Sequence, residues 1–180
     1  TMLSESMLYK SGEINRLGSI EGGSTVSDYH HDEHNRQISI HSSPLHLEWN
    51  ETKFNLIDTP GYLDFIGETI SSLAVVDSAI IVIHAVNGIE VGTEQVWNYA
   101  SDFGLPKTLV INGFDRENTK FDTILNQAKD HFGSNVFPMQ LPVNAGPGFN
   151  QIVDVLRSEL ITYSTDGSGK YKEEDLPDEW

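Results

Sequence analysis

The stretch 108-TLVINGFD-115 decides the fold. Its apolar half reads as a strand, and its second half admits two continuations. Asn112-Gly113 between hydrophobic runs is the strongest short-range signal for a β-hairpin. Asn followed three residues later by Asp, at the end of a buried strand, is also the form of a loop that reads a base. The next segment separates the two. The run 121-FDTILNQAKDHF-132 has helical spacing and is closed by Gly133. A strand followed by a helix is not a hairpin, and loops at the C-terminal ends of parallel strands are where α/β sheets bind ligands.

Working outward, 79-AIIVIHAV-86 is continuously apolar and β-branched, so it predicts a strand buried on both faces of a parallel sheet. Between these strands, 93-TEQVWNYASDF-103 predicts a helix with Thr93 as N-cap and Gly104 as stop. The run 136-VFPMQLPV-143 predicts a further strand, and 63-LDFIGETISSLAVVD-77 a helix carrying Leu63, Ile66, Ile70 and Leu73 on one face. Upstream, 45-LHLEW-49 alternates and 54-FNLID-58 returns across a turn at residues 50–53, an antiparallel hairpin. At the start, Leu3, Met7 and Leu8 share a helical face that Gly12 ends. Nothing before Thr1 caps that helix, so the chain is expected to begin part-way into a larger fold. Residues 12–43 are polar and weakly patterned, as functional or mobile loops are. The class is α/β: a mostly parallel sheet with flanking helices and one antiparallel edge hairpin.

The 180 residues suit one domain with a proper core. The absence of cysteine excludes disulfides and thiolate metal sites. No apolar run approaches the ~20 residues that span a bilayer, and no signal peptide opens the chain, so a cytoplasmic protein without a membrane partner is expected. With 27 acidic and 11 basic residues the net charge is −16. That argues against wrapping a phosphate backbone or reading nucleic-acid sequence directly, while leaving room for a nucleotide in a small, locally positive pocket.

Three strand or helix ends carry chemistry. In 58-DTPGY-62, an Asp at a strand end can hold Mg²⁺ directly or through water, and Gly61 lets a backbone N–H approach a terminal phosphate. The plain alternative is a turn led by Thr59-Pro60. In 112-NGFD-115, the Asp115 carboxylate can accept both N–H groups of a guanine edge, with Asn112 tying neighbouring loops together. Thr1 opens a helix and fits the last position of a phosphate-binding loop of the form GxxxxGK[ST].

In order, TMLSESMLYKSG (1–12), NRQISI (35–40), DTPGYLDF (58–65), INGFD (111–115) and DGSGKYKEEDLP (166–177) resemble the nucleotide-binding domain of elongation factor G, with most likeness to elongation-factor-G-like paralogues that carry an aromatic residue after DTPG. The resemblance covers essentially the whole chain. It implies a P-loop GTPase domain over 1–147, with its central P-loop strand and loop outside the chain, and the start of an inserted subdomain over 148–180. It implies GTP or GDP with Mg²⁺ as ligands, the ribosome as partner and GTP hydrolysis as activity. By the same resemblance Thr1, Ser39 and Asp58 hold Mg²⁺; residues 23–43 form switch I; Asp58 and Gly61 serve switch II; Thr1, Asp58, Gly61, Asn112, Gly113 and Asp115 contact the nucleotide; and Tyr62 with Gly61 carries the catalytic position.

Ser39 stands where the family usually has the switch I threonine, and the sequence departs from the family at two more of these positions. Tyr62 stands where the family has the histidine that positions the attacking water, and Gly113 where it has the lysine of NKxD, whose stem covers the guanine. Both departures, with the missing P-loop, support an alternative: a GTPase-like module that docks on ribosomes or partners with weak or no hydrolysis. On this reading Gly113→Lys should tighten nucleotide binding.

Of the remaining polar signals, His30, His31 and His34 beside Asp32 and Glu33 suggest a zinc site, against which a solvated switch loop is the preferred reading. His84 is expected to be a satisfied core histidine, Trp97 and Tyr99 to pack, and the acidic run at 172–179 to be a solvated loop.

Overall fold

The computed structural model describes residues 1–176 and divides into two compact units, each built around its own packed residues.

The first unit comprises residues 1–79 and 98–106. Helix α1 (Met2–Ser11) ends on Gly12, whose φ of 88° lets its N–H reach the carbonyls of Leu8 and Tyr9. Its buried residues are Leu8 and Glu5, with Leu3 and Met7 half-buried. Strands β1 (Ser43–Trp49) and β2 (Thr52–Asp58) pair antiparallel, with Ser43 opposite Asp58 and Trp49 opposite Thr52. Asn50 and Glu51, at φ 47° and 60°, turn the hairpin in two residues, fewer than the four expected. After β2 the chain passes through a 3₁₀ turn (Leu63–Phe65) into α3 (Ile66–Leu73). This helix is shorter than the predicted 63–77: it stops before the β-branched pair Val75-Val76. Its buried residues are Thr69, Ser72 and Leu73, whereas Leu63 is exposed. Leu73, Ala79 and Ala100 form a small core with Tyr99 and Leu105.

The polar stretch 12–42 is organised by two buried carboxylates. Glu5 on α1 accepts the N–H groups of Gly18 (2.8 Å) and Val26 (2.9 Å). Glu33 lies on a short helix missed in the sequence, α2 (His31–Arg36), and accepts the N–H groups of His30 (3.1 Å), Ile40 (2.9 Å) and His41 (3.0 Å). Burial alone would raise the Glu33 pKa. The amides of His41, Ile40 and His30, together with the His30 charge, outweigh it and hold the carboxyl below its ordinary value.

The second unit comprises residues 80–97 and 107 onward. Strand β3 (Ala79–His84) and strand β4 (Lys107–Asn112) are neighbours. The bonds from Ala79 N–H to the Pro106 carbonyl (3.0 Å) and from Ala85 N–H to the Asn112 carbonyl (2.8 Å) advance six residues on both strands, so the pair is parallel. The expectation that 79–86 is buried on both faces is corrected: burial alternates, with Ile81 and Ile83 inside and Ile80 (48%) and Val82 (50%) exposed. Helix α4 (Val91–Asp102) starts two residues before its expected cap. Thr93 acts from inside the first turn, taking the N–H of Glu90 (3.4 Å). Helix α5 (Phe121–Phe132) has the predicted bounds and ends at Gly133.

Strand β5 (Gln140–Pro142) is only the end of the predicted 136–143 run, in which Pro138 has no N–H to donate. It opens an antiparallel sheet ordered β5-β6-β7-β8, with β6 at Gln151–Asp154, β7 at Glu159–Tyr163 and β8 at Tyr171–Asp175. The run 172–175, expected as loop, is therefore an edge strand with every residue exposed, and residues 177–179 of that expectation lie outside the described residues. The α/β class stands. Among the described residues, one parallel pair and two antiparallel groups replace a single mostly parallel sheet.

The carboxylate anchors make two predictions. A Cβ on Gly18 would collide with the Ser24 carbonyl and lie 2.7 Å from Glu5 Oε1, so Gly18→Ala should destabilise the full-length protein and speed proteolysis within 12–42. Glu33→Gln leaves one amide facing an NH₂ group and should cost about 1–3 kcal/mol in chemical denaturation. Because the folded pKa of Glu33 is depressed, its stabilisation is present above the unfolded carboxylate pKa and lost as pH falls through the folded value. The variant should flatten that acid limb of the stability curve.

Candidate functional site

Two clusters carry the residues singled out above, one in each unit. In the first unit, Asp58 ends β2 beside Thr1, the N-cap of α1. The Thr1 backbone nitrogen lies 3.2 Å from Asp58 Oδ1 and 3.1 Å from Oδ2. Ser4 Oγ lies 2.6 Å from the Thr1 carbonyl and 3.1 Å from Asp58 Oδ2, and its single proton is shared between these two acceptors. Ser39 comes from the far end of the polar stretch, and its Oγ lies 2.9 Å from Thr1 Oγ1. Ser39 Oγ also donates to Asp28 Oδ1 at 2.6 Å. A serine hydroxyl has one proton, so the Thr1 hydroxyl is the donor in the Thr1–Ser39 pair. Thr1, Ser39 and Asp58, distant in the chain and predicted to share one role, thus converge.

The donor set fits a hard divalent cation. The side-chain donors are oxygens: the paired Thr1 and Ser39 hydroxyls, the Asp28 carboxylate on Ser39, and the Asp58 carboxylate on the Thr1 backbone nitrogen and the Ser4 hydroxyl. Two oxygens each ~2.0–2.1 Å from Mg²⁺ and at right angles to one another stand about 2.9 Å apart. The Thr1–Ser39 hydroxyl pair has that spacing. Asp28, 6% exposed, was missed in the sequence because nothing in 12–43 distinguishes it from solvated acidic residues. Past Asp58, residues 59–61 are irregular and form no turn, and the Pro60 carbonyl is tied to α3 by the buried Thr69 hydroxyl (3.3 Å). Gly61 is exposed, with no atom within 4 Å of where a Cβ would sit. Tyr62 is exposed at the start of the 3₁₀ turn.

In the second unit, 112-NGFD-115 follows β4 and leads toward α5, with no hairpin. Phe114 holds the loop in place. Its ring is buried with Ile83, Ala85 and Ile124 and lies 6.1 Å from the Phe121 ring and 5.8 Å from the Phe149 ring. Its carbonyl accepts the Gly146 N–H at 2.7 Å. With Phe114 turned inward, Asn112 and Asp115 on either side are exposed. The Asn112 carbonyl is fixed by Ala85. Gly113 has φ +90°, which L side chains rarely adopt, so the tightening expected of Gly113→Lys is opposed by the backbone.

The other polar signals resolve locally. His34 Nε2 bonds the Asp28 carbonyl (2.7 Å), His31 Nδ1 meets Asn35 (2.8 Å), and His30 packs between the rings of Tyr29 and His41. No group of three or more His, Asp or Glu converges as a ligand set among the described residues. Half-buried His84 accepts the Val86 N–H on Nδ1 (3.2 Å). Trp97 stacks on Phe132 at 4.1 Å, and Tyr99 packs on the Leu73 cluster.

Comparison with known proteins gives the family. Residues 1–172 match the Elongation factor Tu GTP binding domain. The chain is 36% identical over 173 residues to "Ribosome-releasing factor 2, mitochondrial" of Debaryomyces hansenii, covering 93% of this chain and 20% of that protein. It is 34% identical over 180 residues to "Elongation factor G" of Mycoplasma pneumoniae, covering 100% and 26%. A solved crystal structure from Thermus thermophilus superposes with a TM-score of 0.91 at 30% identity, covering 99% of this chain and 26% of that one. The chain therefore spans about a fifth to a quarter of the length of these proteins. It belongs to the family of elongation factor Tu-type GTP-binding domains, with the P-loop GTPase fold.

Proposed function

We propose that this chain is the guanine-nucleotide-binding part of a ribosome-dependent translational GTPase of the elongation factor G type. One observation carries the reading: Thr1, Ser39 and Asp58 come together from three separate segments, with the Thr1 and Ser39 hydroxyls 2.9 Å apart and the Asp58 carboxylate beside Thr1 and within 3.1 Å of the Ser4 hydroxyl. In this reading Thr1 and Ser39 would ligate the cation through their hydroxyls, and Asp58 would hold it through water. Bound Mg²⁺ neutralises phosphate charge.

The rest of the mechanism belongs to the chain's own groups. Asp115 accepts the two N–H groups of the guanine edge, and Asn112 and Gly113 shape the loop around it. The Gly61 backbone N–H meets the γ-phosphate, where a side chain would block approach. Tyr62 lies beside the attacking water and orients it through its hydroxyl, a weaker partner for hydroxide than an imidazole. Ser39 and Gly61 sit in segments that depend on the γ-phosphate for their position, so its loss releases both switches and the ribosome senses the change. Residues 1–147 form the GTPase part, and residues from 148, with β6–β8, begin an inserted subdomain. No helix among the described residues is long and apolar enough to cross a membrane. The cytoplasm is the proposed location, although the ribosome-releasing relative is named mitochondrial.

Two variants of the full-length protein test this. Asp58→Ala should reduce ribosome-stimulated GTP hydrolysis to background, and unchanged turnover would remove the metal assignment. Tyr62→Phe should lower kcat by about tenfold or more with GTP affinity retained, as loss of a positioned proton-handling group does. A wild-type protein that docks on ribosomes yet turns over no GTP would favour the binding-module alternative.

A further inference from the structure

Gly113 leaves the 112–115 loop without a side chain where one would face a bound base, and its backbone keeps it so. At φ +90° the position is one that L side chains rarely adopt and where a substitution is strained. The space in front of Gly113 is bordered by two other side chains. A Cβ built there would lie 3.7 Å from His84 Nε2, 3.8 Å from Arg116 Cδ and 3.9 Å from Arg116 Nε. Both groups are held toward this point. The Arg116 N–H bonds the Gly113 carbonyl at 3.2 Å, a tight turn that folds the arginine back along the loop. The Val86 N–H occupies His84 Nδ1, so the neutral imidazole carries its proton on Nε2, the atom nearest Gly113. The His84 carbonyl accepts the Gly88 N–H (2.9 Å), which fixes the residue further.

We propose that Arg116 and His84 form the wall of the base site that Gly113 does not supply, Arg116 by laying its planar guanidinium against the purine and His84 by offering a fixed Nε2–H. This rests on the reading of 112–115 as a guanine loop. The chemistry suits the ligand class. A guanidinium is planar and weakly hydrated, and it stacks on aromatic faces, which a lysine ammonium cannot do in the same way. An electron-rich purine with ring and ribose oxygens at its margin accepts both contacts. Arg116 is exposed, so its guanidinium is open to a planar ligand. Neither residue stands out in the sequence: His84 reads as a core residue, and Arg116 lies just past the motif.

The test is titration calorimetry of GDP and xanthosine diphosphate with the full-length protein and four variants. Arg116→Ala should weaken GDP binding about three- to thirtyfold, the range of a partly desolvated cation–π contact. Arg116→Lys should fall between it and wild type. His84→Asn keeps an acceptor for Val86 but removes the Nε2–H, and should weaken GDP binding severalfold without altering thermal stability. Asp115→Asn tests the underlying reading separately: its amide matches a xanthine edge, so preference should move from GDP to xanthosine diphosphate. If Asp115→Asn switches preference while Arg116→Ala and His84→Asn bind GDP within twofold of wild type, the wall is refuted and the guanine loop stands. If Asp115→Asn leaves preference unchanged, the guanine loop fails and the wall fails with it.

Discussion

A buried carboxylate must be held by something, and Glu33 is held by three backbone N–H groups. Those of Ile40 and His41 follow directly on Ser39, so satisfying the carboxylate also sets where the Ser39 hydroxyl points. Ser39 then meets Thr1 and Asp28 at 2.9 and 2.6 Å. The same device recurs at Glu5, which grips Gly18 and Val26 near the other end of the polar stretch. Anchoring by charge-assisted bonds to amides, with little apolar burial, suits a segment that must be ordered in one state and released in another. An apolar anchor would hold it in both.

The second unit positions its loop by the opposite means. Phe114 is driven inward among Ile83, Ala85, Ile124, Phe121 and Phe149, and the flanking Asn112 and Asp115 are thereby presented outward. Burying an aromatic ring contributes about 1.5–3 kcal/mol, enough to fix a short loop. The proposed base-reading loop and the proposed switch call for different supports, one rigid and one releasable, and the two kinds of support fall to different residues.

The fold and the site were not equally legible. The helix after 108-TLVINGFD-115 excluded a hairpin, and the structure has none there; α5 and the β1–β2 hairpin followed from spacing alone. Strand β3 departs from expectation because a β-branched run signals burial on both faces, while its exposed Ile80 and Val82 depend on what packs there, which local sequence does not encode. Strand β8 was hidden by its charges: an acidic edge strand and an acidic loop have the same composition. Thr1, Ser39 and Asp58 could be named because a motif resemblance supplied them. Asp28, Glu5 and Glu33 could not, since a buried acid and a solvated one look alike until the amides around them are placed. In sequence Gly113 reads as a lost lysine, and its positive φ shows a backbone conformation that favours glycine there.

Thr1, Ser39 and Asp58 are proposed to form one cation site for a bound nucleotide. The most direct measurement is Mn²⁺ affinity of the GTP-bound full-length protein, read by electron paramagnetic resonance with Mn²⁺ in place of Mg²⁺. Ser39→Ala and Asp58→Ala should each weaken Mn²⁺ binding at least about tenfold, as loss of a ligand or of its supporting partner does. Mn²⁺ affinity unchanged in both variants would contradict that site.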